Sequence, residues 1–140
     1  MWLELVEKSI TVSSIFKQDE VTLDEIRLNA ITISVHNGWT FGIGFDVKQY
    51  PSSPPIKWQK ANYNTVSIGL DFLENEILFF QNSNFALEKG ELFIEKEGLF
   101  KKVRFIASES KDTIFILRCR WIFVNGIAAY CNDTSNDNVF

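Results

Sequence analysis

From residue 25 onward the apolar positions of the chain recur at every second residue. Ile31, Ile33 and Val35 alternate with Thr32 and Ser34, and Phe41, Ile43, Phe45 and Val47 alternate with Thr40, Gly42, Gly44 and Asp46. Successive side chains of a strand point to opposite faces, so this period predicts strands with one buried face. His36-Asn37-Gly38, between them, is a hairpin signal. The register follows from where the apolar residues must go. A two-residue Asn37-Gly38 turn would set Val35 opposite Thr40 and Ile33 opposite Gly42, with the two apolar sets facing opposite ways. A three-residue loop, His36 to Gly38, sets Val35 opposite Trp39, Ile33 opposite Phe41 and Ile31 opposite Ile43, all on one face. A one-residue slip inverts every side chain, so the three-residue loop is expected, with Gly38 left-handed in a bulge.

The period of two continues. Val66, Ile68, Leu70 and Phe72 mark a strand over 64–73, and Glu74-Asn75 is expected to turn it into a further strand at 76–81. Strands are also expected at 91–96, 100–108, 113–121 and 122–131, with Asn125-Gly126 as a turn or a bulge. Ile77-Leu78-Phe79-Phe80 and Ile114-Phe115-Ile116-Leu117 do not alternate, which predicts strands covered on both faces. Before residue 25, Leu5, Val6, Ile10, Val12, Ile15 and Phe16 approximate a helical stripe, so a short helix is expected within 4–17. All three prolines fall in Tyr50-Pro51-Ser52-Ser53-Pro54-Pro55-Ile56-Lys57-Trp58, which therefore reads as a loop between strands. The expected fold is mainly β: an antiparallel meander of about seven to eight strands, as a curved sheet or sandwich, with a short N-terminal helix. One β-rich domain is expected over 1–131, followed by a polar tail, 132–140.

Composition sharpens this picture. Thirteen Phe, four Trp and three Tyr suit a pleated, half-buried surface. Eighteen acidic against fourteen basic residues give a net charge of −4. That balance disfavours phosphate-backbone binding and suits a basic partner. The N-terminus has acids where a secretion signal carries basic residues, and no apolar run reaches the length of a membrane helix. A cytoplasmic protein is expected, with Cys119 and Cys131 reduced and acting as small hydrophobes.

Residues for catalysis are scarce. The single histidine, His36, falls in the predicted hairpin loop and reads as a turn residue rather than a general base. No metal-ligand cluster, nucleophile motif or phosphate loop is visible, so no enzyme, cofactor or metal is expected. Gly42 and Gly44 on one strand face signal a tight bend or the close approach of another element. The carboxylates group as Asp19-Glu20, Asp24-Glu25, Asp71/Glu74/Glu76 and Glu95/Glu97, chiefly at predicted strand ends and turns.

One stretch carries more than composition. Phe45-Asp46-Val47-Lys48-Gln49-Tyr50-Pro51, then Pro54-Pro55-Ile56-Lys57-Trp58, then Asn64-Thr65-Val66, resembles the strand, Pro-Pro-x-x-Trp loop and strand of the immunity protein 50 family of bacterial polymorphic-toxin systems. The last strands, with Cys119 and Gly126-Ile127-Ala128-Ala129-Tyr130, are similar too. The resemblance spans roughly residues 10 to 131. It implies a protein that binds and neutralises a cognate toxin, and it carries over no cofactor and no catalytic residue. On that reading Trp58, behind the proline loop, is a candidate anchor, and Glu74, Glu76, Glu95 and Glu97 are candidate contacts for a basic toxin. The same residues leave a second reading open: a β domain holding a small molecule or peptide in an internal apolar cavity.

Overall fold

The computed structural model describes residues 1–35, 38–81 and 88–132. Its six strands are β1 (Ile26–Ser34), β2 (Thr40–Val47), β3 (Thr65–Phe80), β4 (Glu88–Glu97), β5 (Phe100–Ala107) and β6 (Thr113–Tyr130). Every strand pair is antiparallel, and the sheet closes into a barrel in the order β1-β2-β3-β6-β5-β4. Two consecutive triplets, β1-β2-β3 and β4-β5-β6, are thus joined along β3 and β6. The seam between β1 and β4 is short: Ile26, Arg27 and Leu28 pair with Gly90, Lys89 and Glu88.

The hairpin register is the one that the apolar pattern requires. Ile31 pairs with Ile43 and Ile33 with Phe41, and Gly38 takes φ +101. His36 lies outside the described residues. Phe41 and Ile43 are buried, but Ile33, Val35 and Trp39 are 45%, 65% and 65% exposed, so the hairpin runs on past the barrel rim.

Where two pairs of strands were expected, at 64–73 with 76–81 and at 113–121 with 122–131, there are two long strands that turn a corner. On β6 the buried positions run Phe115, Leu117, Cys119 and then Ile122, Val124, a step of three between Cys119 and Ile122. Opposite that step, Glu74 on β3 adopts φ +50. The Phe41 ring lies 6.2 Å from Phe72 and 6.1 Å from Phe80. A straight strand would hold those two partners roughly 26 Å apart at its usual rise. The break in alternation at Glu74-Asn75 is therefore a bend, by which both strands pass from one wall of the barrel to the other. At Asn125-Gly126 β6 bulges instead of turning: Gly126 faces Gly69 and Val124 faces Leu70, with Asn125 extra between them.

Phe41, Phe45, Phe72, Phe105 and Phe115, each at most 1% exposed, fill the interior, and α1 (Ile10–Phe16) adds Val12 and Phe16. Around α1 the N-terminal segment is stitched to the barrel by backbone bonds. Glu7 N–H donates to Ile122 O at 2.7 Å, Val124 N–H to Glu7 O at 3.1 Å, and Leu92 N–H to Leu23 O at 3.0 Å. The indole of Trp2, on a 3-10 turn (Trp2–Leu5), donates to Val21 O at 2.9 Å. The proline loop does not remain irregular throughout. After Pro55 it forms α2 (Ile56–Ala61), ended by left-handed Asn62. Proline cannot continue a sheet, but its fixed φ is suited to a helix start.

Of the two runs expected to be covered on both faces, only one is. Ile114, Phe115 and Leu117 are buried, whereas Ile77, Leu78 and Phe79 are 40%, 44% and 46% exposed. The last pair between β2 and β3 is Thr40 with Leu73, so beyond Leu73 the neighbour that would have covered β3 is gone. None of the described helices is long and apolar enough to cross a membrane. Of the expected polar tail, only Asn132 is described.

Candidate functional site

The bend of β3 and β6 gathers large exposed apolar side chains from four separate parts of the chain. The hairpin end contributes Ile33, Val35 and Trp39, β3 contributes Ile77, Leu78 and Phe79, the β4–β5 turn Leu99 and Phe100, and β6 Trp121. Hydrogen bonds hold several of these in place. Asn75 Nδ2 donates to Trp39 O and to Phe72 O, each at 3.0 Å, which ties the hairpin to the bend. Trp121 Nε1 donates to Glu74 Oε2 at 2.8 Å. Arg120 and Lys101 bring their cationic groups to 5.4 and 5.9 Å from the Trp121 ring, and Lys101 Nζ donates to Arg120 O at 3.1 Å. A tryptophan fixed at its nitrogen and flanked by two cations loses little freedom when a partner covers it, as suits an interface anchor.

The four expected contact acids share this side of the molecule, but not as a uniform acidic patch. Glu76 pairs in register with Arg118, Arg118 with Lys102, and Lys102 with Glu95, so the row across β3, β6, β5 and β4 reads acid, base, base, acid. Glu95 accepts from Arg104 Nε at 3.2 Å, and Glu97 lies 3.8 Å from Arg118 Nε. Arg104 also stacks 4.3 Å from the Phe93 ring. The cations appear in the sequence as Lys101-Lys102-Arg104 and Arg118/Arg120, but only the strand pairing sets them between the acids. Trp39, Phe79 and Trp121 were not singled out in the sequence. The available signal was the non-alternating runs around them, which read equally well as covered core.

Trp58 stands apart. It sits half-buried on α2, packed against the core with its ring 6.3 Å from Tyr50. Since α2 leads into Thr65, Trp58 belongs to the end of β3 opposite Glu74.

A second polar cluster lies on β1, β2 and β6, around the buried Asp46. Asp46, 6% exposed, accepts from Asn29 Nδ2 at 2.9 Å and from the Tyr130 hydroxyl. Burial, and then this bond to a carboxylate, push the Tyr130 phenol up to about 12. With both Asp46 oxygens occupied by this chain's own donors, the cluster works as a clasp between strands. Gly42 and Gly44 serve close approach, as their pattern suggests. A Cβ on Gly42 would stand 2.7 Å from Thr32 Oγ1, and one on Gly44 2.9 Å from Asn29 Oδ1. Among the described residues no three His, Cys, Asp or Glu side chains gather as a metal site.

An internal ligand cavity would need the space that the five phenylalanine rings occupy. A cleft of about 490 Å³ lies outside the barrel, between Trp2, Val21, Leu23 and Leu92–Ile94, open to solvent.

Comparison with curated proteins and with solved structures returned no match. Comparison with protein families matched the one described as Immunity protein 50, over residues 8–130. That span runs from just before α1 to Tyr130, the last residue of β6, and so takes in both helices and all six strands. The chain therefore belongs to the Immunity protein 50 family.

Proposed function

We propose that this immunity protein neutralises its cognate toxin by direct occlusion, docking through the surface at the bend of β3 and β6. The observation that carries this reading is the concentration of exposed apolar side chains there, with Trp121 pinned between Glu74 and two cations. Exposed apolar patches ringed by polar groups mark interaction sites, and tryptophans supply much of the energy at such sites. Trp39 and Trp121 act as anchors, while Glu74, Glu76, Glu95 and Glu97 form the rim. The net charge of −4 favours encounter with a basic toxin, and the mixed acids and cations of the rim select orientation more than they add affinity. Trp58 holds α2 to the barrel and lies outside the interface. Occlusion needs no catalytic group and no cofactor from this chain, which acts in the cytoplasm of the toxin-producing cell.

Co-expression with the cognate toxin tests the reading. Trp39→Ala with Trp121→Ala abolishes protection while leaving the circular dichroism spectrum unchanged, and Trp58→Phe still protects. Full protection by the double variant would remove this surface from the mechanism.

A further inference from the structure

The barrel leaves several stretches of strand edge beyond its pairings, and the chain itself covers two of them. Glu7 lies along β6 at Ile122–Val124, and Leu23 extends the seam along β4 at Leu92, each with backbone hydrogen bonds. The stretch of β3 beyond Leu73 is different. Its pairs with β2 stop at Leu73, while it continues on β6 alone through Ile77 and Phe79, and among the described residues no strand lies on its other side. β1 also outruns its pairs with β4, but there the exposed residues include polar Asn29 and Thr32. The β3 edge instead shows Ile77, Leu78 and Phe79, each at least 40% exposed.

An apolar edge of this kind invites another strand, and proteins usually blunt it with lysine, proline or a bulge; here a register shift between Ile77 and Phe79 interrupts the edge, but no basic residue or proline guards it. β3, Thr-Val-Ser-Ile-Gly-Leu-Asp-Phe-Leu-Glu-Asn-Glu-Ile-Leu-Phe-Phe, contains no Lys, Arg or Pro. Its only charges are Asp71, Glu74 and Glu76. Arg118, opposite Glu76, approaches Glu97, and Glu76 makes none of the ion pairs among the described residues. Two copies of β3 side by side would bring acids together without a cation, which disfavours pairing with a second copy of this chain. A strand carrying Lys or Arg would complement those acids, and its apolar residues would cover Ile77 on one face and Phe79 on the other, since the register shift between them sets Ile77 opposite Leu117 and Phe79 opposite Ile116.

We infer that the edge of β3 over Asn75–Phe79 receives a cationic, partly apolar segment of the toxin as an added β-strand. This rests on the toxin-binding reading and specifies its mode: backbone hydrogen bonds supply affinity, and the flanking side chains supply selectivity.

Hydrogen exchange on the full-length protein, alone and with the cognate toxin carrying an inactivating substitution, is the test. In the complex the amides of Asn75–Phe79 that point away from β6 slow by about tenfold or more, as amides do on entering a stable ladder. Glu76→Lys weakens binding by about tenfold and flattens its dependence on salt, since a like charge then meets the incoming strand. Leu78→Lys, at an exposed position, does the same while leaving the melting temperature of the free protein unchanged. A complex that forms while these amides exchange as in the free protein overturns the edge pairing and leaves the toxin-binding reading standing. If no complex forms, that reading fails and the inference with it. If the free protein has twice the expected mass and already protects these amides, a second copy occupies the edge, and the inference is overturned.

Discussion

The N-terminal segment and the bend of β3 lie against the same barrel and are built from similar residues, yet they end in opposite environments. Val6, Val12, Phe16, Val21 and Leu23 are at most 8% exposed, whereas Trp39, Ile77, Leu78 and Phe79 are all at least 40% exposed. Hydrophobicity does not separate the two groups. What separates them is a cover: backbone bonds from Glu7 and Leu23 seal the edges beside the first group, and β2 ends before it can shield the second. Apolar area of one kind stabilises the fold, and the other kind is held for a partner.

That contrast can be broken at either end. Phe16→Ala removes a fully buried ring from the sealed region and lowers stability to urea by about 3–5 kcal/mol, while Phe79→Ala costs under about 1 kcal/mol. Equal costs at the two positions would erase the distinction. Trp121→Ala reverses the emphasis. Toxin affinity measured by calorimetry falls by about 2 kcal/mol or more, and stability changes by less than about 1 kcal/mol. The clasp lies between these extremes. Tyr130→Phe leaves the buried Asp46 carboxylate with one donor fewer, so stability drops by about 1–3 kcal/mol and toxin affinity is unchanged.

The smallest effect appears at alkaline pH. Burial pushes the Cys119 thiol from 9.0 up to about 12. Between those values the unfolded chain loses this proton and the folded chain keeps it, so the thiol's contribution is intact below pH 9 and is lost as pH rises toward 12. At pH 10 the loss is about 1 kcal/mol. Tyr130, raised in the folded state from 10.0 to about 12, adds a loss in the same direction that starts one unit higher. Cys119→Ala therefore flattens the fall in urea midpoint between pH 9 and 10, and an unchanged slope would contradict the burial of this thiol.

Much of this architecture was legible in the chain. The apolar alternation determined the strands, and at the β1–β2 hairpin it determined the register, because only one loop length puts Ile31, Ile33, Phe41 and Ile43 on one face. The Pro-Pro-x-x-Trp stretch and the Gly126–Tyr130 ending pointed to the family. The break in alternation at Glu74-Asn75 was located correctly but taken for a reversal. A turn and a corner interrupt the period in the same way, and the pairing of β3 with β6 on both sides of the break, Leu73 with Trp121 and Asn75 with Cys119, separates them.

The tertiary structure alone decided what is covered and what meets what. Ile77-Leu78-Phe79-Phe80 and Ile114-Phe115-Ile116-Leu117 look alike as sequence, and they diverge because one lies between two strands and the other loses a neighbour at Leu73. Trp121 and Glu74, 47 residues apart, become partners through the β3–β6 ladder, and the same pairing sets cations between acids that sequence alone left as a negative group. Local periodicity reports which face of a strand points inward, because side-chain direction is a property of the backbone. Which strand lies alongside is set by pairing between distant segments, and that pairing exists only once the barrel has closed.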